Sequence, residues 1–551
     1  MSDIDFNRRN FIKDASTTAL GIALATKIST SAAAPSTQPA TADFDINKNF
    51  AEFMQGIGAS PADAGGNVVF TGKDPIVRSH FRIGSCMAIP AMGAGVLAAS
   101  IWKDRTGQPQ DVKVDLREAI YNVNPLLGII MKIRLATGLV PANDVVAKSF
   151  SFEPTVNGHW YQAPLGPGNP LTFQVFPTKD GRMFTLSGPY PHLTDRVLKT
   201  LKVYPERKAI AASIRQWNSA DLDAAIGTAR ICGGMHRTAE EWLQHPQGKY
   251  LSSVPVIEIV KIGDADPIPY SAKPTQPLSG IKVLSLTHVI AGTTSARTLA
   301  EYGAQVLHVA RDQSFEHEAF VTDVNVGMRS TFIDLRKAQD KQAVMALLPD
   351  TDVFIEGFSG RSIERLGFGV EEVARQRPGI VYLSMRCYGW DGPWRDRPGF
   401  DMEGLTVTGF TMSEGGGRPA FSPTYGDALR DGAPPPAFPP TLVMNDYIAG
   451  YLGACGVLAA LRRRAQEGGS YHVRVSLARS AMWFQSLGRF ANTDFTPGPD
   501  QAMIPPETIT RQTPYGEIHR LAPLAKLSAT PGNWRDPLVA VRGSDLPVWE
   551  S

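Results

Sequence analysis

The fold is decided by residues 282–309, KVLSLTHVIAGTTSARTLAEYGAQVLHV. Lys282 to Leu286 is a short apolar run with the length and make-up of a buried strand. Thr287 to Thr294 reads as a loop. Ser295 to Gly303 reads as an amphipathic helix, with Ala296, Leu299, Ala300 and Tyr302 apolar and a glycine stop. Val306 to Val309 is the next strand. Strand, loop, helix and strand at this spacing predict a right-handed βαβ unit. Further strands are predicted at 331–335, 352–356 and 380–385. The expected class is therefore α/β, a doubly wound, Rossmann-like parallel sheet. Ligands of such sheets bind beyond the carboxyl ends of the strands, so chemistry is expected in loops 287–294 and 386–401.

A nicotinamide-binding reading needs a GxGxxG turn and an acid ending the second strand. The first loop has only Gly292, and the second strand runs into Ala310-Arg311. The chain has no GxxxxGK[ST] phosphate loop and no GxSxG elbow. Its ten histidines show no metal spacing. His288, in the first loop, is the one placed for a role, although loop histidines are more often structural.

Composition narrows the classes further. Lys+Arg total 55 against 53 Asp+Glu, a net of +2, which argues against a dense nucleic-acid-binding face. The four cysteines, Cys86, Cys232, Cys387 and Cys455, are far apart and form no CxxC, which argues against a disulfide scaffold or a cysteine zinc site. The N-terminus reads as targeting rather than fold. Arg8-Arg9-Asn10-Phe11-Ile12-Lys13 is similar to a twin-arginine export motif, followed by an apolar run to Thr26 and small residues at Ser31 to Ala34. Export to the periplasm is expected on that reading; a basic cytoplasmic tail is the alternative. The run is too short to span a bilayer, which needs about 20 residues. No membrane span is expected in the rest of the chain.

Gly95-Val96-Leu97-Ala98-Ala99 recurs as Gly456-Val457-Leu458-Ala459-Ala460, an offset of 456 − 95 = 361. The offset also pairs Gly107 with Gly468, Val112 with Val473 and Leu116 with Leu477. Both copies read as a small-residue helix, a glycine turn and an alternating strand, which points to two related halves.

From Pro277 onward the chain resembles the class III CoA-transferases, the CaiB/BaiF family. The resemblance rests on ordered blocks: the opening βαβ, Gly327 to Ser330 with Ile333 to Arg336, Phe354 to Gly369, Tyr388 to Asp401, and Asn445 to Gly450 heading a helix. Pieces at 150–270, FPTKDGRMFTL and RTAEEWLQHPQG, resemble the family's small domain. The organisation this implies is a targeting segment at 1–45 and a partial, degenerate copy at 46–150. A small α+β domain follows at 151–276, the large domain at 277–490, and a closing segment at 491–551 that packs back on the small domain. The whole looks like a fused or permuted relative.

By resemblance, Asp446 is the nucleophile and Asp401 a helper carboxylate, while helix capping and salt bridging are their bland readings. A helix-start position would itself stabilise the Asp446 anion. The resemblance places coenzyme A, a cosubstrate, near His288, Ile290, Arg311, Ile333, Arg336, Phe358 and Arg365, since arginine forks suit phosphates. The sequence departs from the family at Gly357, Ser359 and Ile290. The implied activity moves coenzyme A between an acyl-CoA and a carboxylic acid through an aspartyl anhydride and thioester. A 2-methylacyl-CoA racemase needs histidine where Phe400 stands in Gly399 to Glu403, so it is the weaker reading. A non-catalytic CoA-ester-binding or structural relative is the other alternative. Subtracting the offset from Asp446 gives 446 − 361 = 85, Ser85, so the first copy is expected to lack the nucleophile. Gly415-Gly416-Gly417 reads as a mobile lid or a plain surface turn. The resemblance also implies a homodimer, some of whose contacts duplicated halves could satisfy internally.

Overall fold

A computed structural model describes residues 44–160, 169–171, 174–312, 316–415 and 436–550. Nearly all of the expected targeting segment, and Gly416 and Gly417 of the expected lid, lie outside the described residues. After a helix over Ile46–Gly56 come β1 (Gly65–Thr71), α1 (Ile83–Thr106), β2 (Gln110–Asp115) and α2 (Leu116–Val123). Short strands β3 (Thr155–Val156), β4 (Phe176–Pro177), β5 (Met183–Ser187) and β6 (Cys232–Met235) precede β7 (Glu258–Gly263). Then come β8 (Lys282–Leu286), α3 (Ala291–Glu301), β9 (Gln305–Ala310), β10 (Arg329–Phe332), β11 (Val353–Glu356) and β12 (Val381–Arg386). They are followed by α4 (Asp401–Val407), α5 (Asn445–Glu467), β13 (Ser470–Ser476) and α6 (Leu477–Ser486). The last strands are β14 (Thr508–Thr513), β15 (Gly516–Leu521) and β16 (Lys526–Leu527).

Seven strands form one sheet in the order β10-β9-β8-β11-β12-β13-β7. The first six are parallel and read 3-2-1-4-5-6 in chain order, the doubly wound arrangement expected. β7 closes the edge antiparallel to β13. Successive residues on these strands enter opposite cores. Val283, Val306, Ile355 and Leu383 pack on one face; Leu284, Leu307, Phe354 and Tyr382 pack on the other. Burial on both faces is why the strands read as unbroken apolar runs. β4, β5 and β6 form a separate antiparallel sheet, whose core of Phe184, Leu186, Val197 and Ile210 gathers the neighbouring helices.

Two element bounds differ from expectation. α3 starts at Ala291, so the first loop is only 287–290. Gly292 to Thr294 are weak helix formers, but all three are buried, Thr294 against Gly450 of α5, and packing overrides propensity. β10 ends at Phe332, because Asp334 accepts the Arg336 backbone N–H and turns the chain.

The repeated stretch is built alike in both places. α2 starts at Leu116 and α6 at Leu477, again 361 apart, and β1 pairs parallel to β2 as β12 does to β13. A Cβ on Gly95 would lie 2.8 Å from Val112 Cγ1, and one on Gly456 2.4 Å from Val473 Cγ1. Each glycine therefore lets its helix sit directly on its strand. α1 is long and apolar enough to cross a membrane, contrary to the expectation that no such run exists, but the whole apolar window is buried. It lies against α5, where Cys455 Sγ donates to Pro90 O.

The closing segment also departs from its expected place. β15 does pair with β3. The last residues, however, pack on the large sheet's edge, where Asp545 pairs with Arg329 and Trp549 Nε1 donates to Leu347 O.

Candidate active site

The sheet's order reverses between β8 and β11, and their carboxyl-end loops carry His288 and Phe358. The two rings meet edge to face with centroids 5.4 Å apart. His288 Nδ1 lies 3.4 Å from Glu316 Oε1. Next to it Val289 takes φ 59°, a left-handed conformation costly for a β-branched residue. That turn aims the loop back toward α3, as Thr287 Oγ1 bonds the hydroxyls of Ser285 and Thr293. Tyr190, from the loop after β5, joins the cluster, its ring centroid 5.4 to 6.2 Å from those of His192, His288, His317 and Phe400. A small cavity beside these rings is lined by His288, Val289, His308, Glu316, His317 and Arg542.

The two acids singled out from sequence are brought together. Asp401 opens α4 and Asp446 sits in the first turn of α5. Asp401 Oδ2 accepts the backbone N–H of Met444 at 3.1 Å and of Asp446 at 2.9 Å. Asp401 therefore caps α5 from 45 residues upstream. The expectation that α5's first amides stabilise the Asp446 carboxylate is corrected, since two of those donors point at Asp401. Both side chains are almost fully buried, and Asp401 Oδ1 has no hydrogen-bond partner.

A third acid, Glu403, is fully buried one turn's reach away. It accepts from Ser187 Oγ at 2.6 Å and from the Phe400 backbone N–H at 2.8 Å, tying β5 to the start of α4. Sequence reasoning quoted Glu403 but gave it no role; an acid two residues from Asp401 was the available signal. Burial pushes the Asp401 and Glu403 carboxyls up, and the amides bonded to each hold that rise back. Asp446 is pushed well up by burial and by the charges of Asp401 and Glu403. Both carboxyls are thus pushed toward the protonated form, and of the two only Asp401 has amides that favour its anion.

α5 is held close to α3 by its glycines. A Cβ on Gly450 would lie 2.5 Å from Thr294 Cβ, and Ser295 Oγ donates to Gly450 O at 2.8 Å. Asn445 Nδ2 donates to Leu477 O, and Tyr447 donates to Asp323 Oδ2. The nucleophile candidate is therefore fixed on both sides by side chains of its own helix turn.

The remaining sequence candidates lie on the same sheet edge but differ in what they offer. Arg311 is exposed after β9. Arg336, after β10, is exposed and forks onto Asp334, with Nε 2.8 Å from Oδ1. Arg365 is exposed and donates to Ser362 Oγ. Ile290 and Ile333 are buried core residues, so their side chains present little surface to a ligand, contrary to expectation. Among the described residues no group of His, Cys, Asp or Glu is placed to hold a metal.

The family model that matches residues 278–519 is CoA-transferase family III. That segment belongs to this family. It spans β8 to β15 nearly in full, and so carries both Asp401 and Asp446. The family resemblance read from the blocks after Pro277 is thus shown. Among curated proteins, the chain is 28% identical to the acetyl-coenzyme A transferase nodX of Hypoxylon pulicicidum, over 77% of this chain and 72% of that one. It is 28% identical to an acetyl-CoA:oxalate CoA-transferase of Acetobacter aceti, over 39% of this chain and 54% of that one. The match to the first reaches well beyond the family III segment, whereas the chain spans only about half the length of the second. A crystal structure of a hypothetical protein from Mycobacterium tuberculosis is similar at 29% identity, with a TM-score of 0.33, covering 39% of this chain and 57% of that one.

Proposed function

We propose that the protein transfers coenzyme A between an acyl-CoA and a carboxylic acid, with Asp446 as the nucleophile. The observation that carries the reading is the buried Asp401–Asp446 pair at the carboxyl end of a parallel sheet, inside a family III segment. An attacking Asp446 must first be ionised, and Asp401 Oδ1, buried without a partner, is the acceptor on offer for its proton. The Asp446 carboxylate then attacks the thioester carbonyl, forming a mixed anhydride and expelling the CoA thiolate. The thiolate attacks the aspartyl carbonyl, releasing the donor acid and leaving an aspartyl-CoA thioester. The acceptor carboxylate attacks that thioester and again expels the thiolate. Attack of the thiolate on the acceptor's carbonyl gives the new acyl-CoA and frees Asp446.

Coenzyme A would run from the His288–Phe358 edge past Arg311, Arg336 and Arg365, which supply exposed cations for its phosphates. Arg336 must leave Asp334 to take part. Phe400 is stacked on Tyr190 where a racemase needs a proton-carrying side chain, which disfavours that alternative. The N-terminal segment is proposed as a twin-arginine-like export signal, which cell fractionation tests, and a homodimer as the assembly.

Hydroxylamine tests the central reading. With an acyl-CoA present, the aspartyl thioester is expected to be trapped as a hydroxamate on Asp446, detected by mass spectrometry. Asp446→Asn behaving like the wild type would sink the proposal.

A further inference from the structure

The chain on either side of Asp401 is held by the separate β4-β5-β6 sheet and its helices. Ser187, at the end of β5, donates its hydroxyl to Glu403 Oε1 at 2.6 Å. The other oxygen, Glu403 Oε2, accepts the Phe400 backbone N–H at 2.8 Å. Glu403 therefore spans from β5 to the peptide that enters α4. Tyr190, just past β5, stacks on the Phe400 ring. Upstream, Arg397 Nη2 donates to Asp223 Oδ1 at 2.6 Å and to Gly233 O of β6 at 3.0 Å. Asp223, in the helix Ser219–Thr228, also accepts from Arg237 Nη2 at 3.0 Å.

These ties are shielded from water. Ser187 and Glu403 are at most 1% exposed, and the Arg397 side chain is covered by the Trp394 ring, 4.1 Å from Cζ. A hydroxyl bonded to a carboxylate in such surroundings has no solvent competitor, so it fixes geometry firmly. The Asp401 side chain cannot do this for itself, because its Oδ2 is committed to the amides of α5. The place of Asp401 is set instead by the Phe400 peptide and the first turn of α4.

We propose that Ser187 is a positioning residue: through Glu403 and the Phe400 amide it fixes the start of α4, and so where Asp401 stands relative to Asp446. The β4-β5-β6 sheet then serves the reaction as well as the fold. The inference rests on Asp446 being the nucleophile.

The test compares Ser187→Ala with Thr178→Val in the full-length protein. Thr178 also donates to a carboxylate, Asp180 Oδ1 at 2.6 Å, but that bond stays within the turn between β4 and β5. Both variants lose a hydroxyl bond, so the urea midpoint is expected to fall in both. Hydroxamate formation at Asp446 under saturating acyl-CoA should slow about 10- to 100-fold in Ser187→Ala, at unchanged KM, as for a misplaced reacting group. Thr178→Val should keep the wild-type rate, and Ser187→Thr, which restores the hydroxyl, should recover it. Equal trapping rates in Ser187→Ala and wild type would overturn the positioning and leave the nucleophile standing. Equal slowing in Ser187→Ala and Thr178→Val, or no recovery in Ser187→Thr, would overturn it too, leaving a bond that only stabilises the fold. Wild-type protein that traps nothing at Asp446 removes the parent reading and this inference with it.

Discussion

Asp401 Oδ2 accepts the backbone N–H of Asp446 at 2.9 Å, so one buried acid holds the helix turn that presents the other. The first copy has a parallel arrangement. Asp74 Oδ2 accepts the backbone N–H of Ser85 at 2.7 Å, and Ser85 occupies the position of Asp446. The Ser85 hydroxyl also donates to Asp74 Oδ2, again at 2.7 Å. Each copy thus caps its long helix with an upstream aspartate, but only the second places a carboxylate in the helix's first turn.

The two acids of the second copy should separate kinetically. Asp446→Asn is expected to lower labelled-CoA exchange by about 10⁴-fold or more, as loss of a nucleophile does. Asp401→Asn keeps an oxygen for the Met444 and Asp446 amides, so it should fall by about 10²- to 10⁴-fold, the range for a lost proton acceptor. Its acid limb should also move to lower pH, because a like charge next to Asp446 is gone. Equal profiles for Asp401→Asn and wild type would remove Asp401 from the mechanism.

Stability should run against activity. The folded acid pair titrates above its unfolded values, so between those values the native state binds more protons than the unfolded one. Stability therefore falls as pH rises from about 4 through the raised native values. Asp446→Asn removes that penalty. Its urea midpoint is expected above the wild type at pH 8, with the gap closing toward pH 4.

Ser85 tests the first copy. Ser85→Ala removes one hydroxyl bond while two amides still cap Asp74, a loss of about 1 kcal/mol. Ser85→Asp sets a second carboxylate against a buried one that burial already pushes up, and should cost about 3–5 kcal/mol. Hydroxylamine trapping at position 85 in a folded Ser85→Asp variant would show a working second site, against this expectation.

Gly450→Ala probes the contact between α5 and α3. Its Cβ would fall 2.5 Å from Thr294 Cβ and 2.9 Å from Ala291 O, so the helices must part. Overpacking of this kind costs about 1–3 kcal/mol, and a shifted Asp446 should lower turnover as well. Gly56→Ala, with nothing within 4 Å of the new atom, is the control and should stay within about 0.5 kcal/mol.

Much of this was legible in the chain itself. Apolar runs at 282–286 and 306–309 announced a sheet because strands buried on both faces have no polar positions to break the pattern. The 361-residue offset announced the repeat, because the glycines that seat α1 on β2 and α5 on β13 have no tolerable replacement at that distance. The start of α3 was missed, since Gly292, Thr293 and Thr294 favour a loop until Thr287 and α5 bury them. Ile290 and Ile333 were placed by sequence position, which does not say whether a side chain points to solvent or to the core.

By itself the sequence determined the α/β class, the strand order's raw material and the repeat, which are local or periodic properties, and period and spacing survive in one dimension. The candidacy of Asp401 and Asp446 came from the family resemblance. Only the tertiary structure decided that Asp401 takes the amides first assigned to Asp446, that Glu403 and Ser187 join the acid pair, and that Arg397 is tied to Asp223. Each of those relations joins residues far apart in the chain, and electrostatics at a buried site depends on distance in space, which sequence separation does not encode.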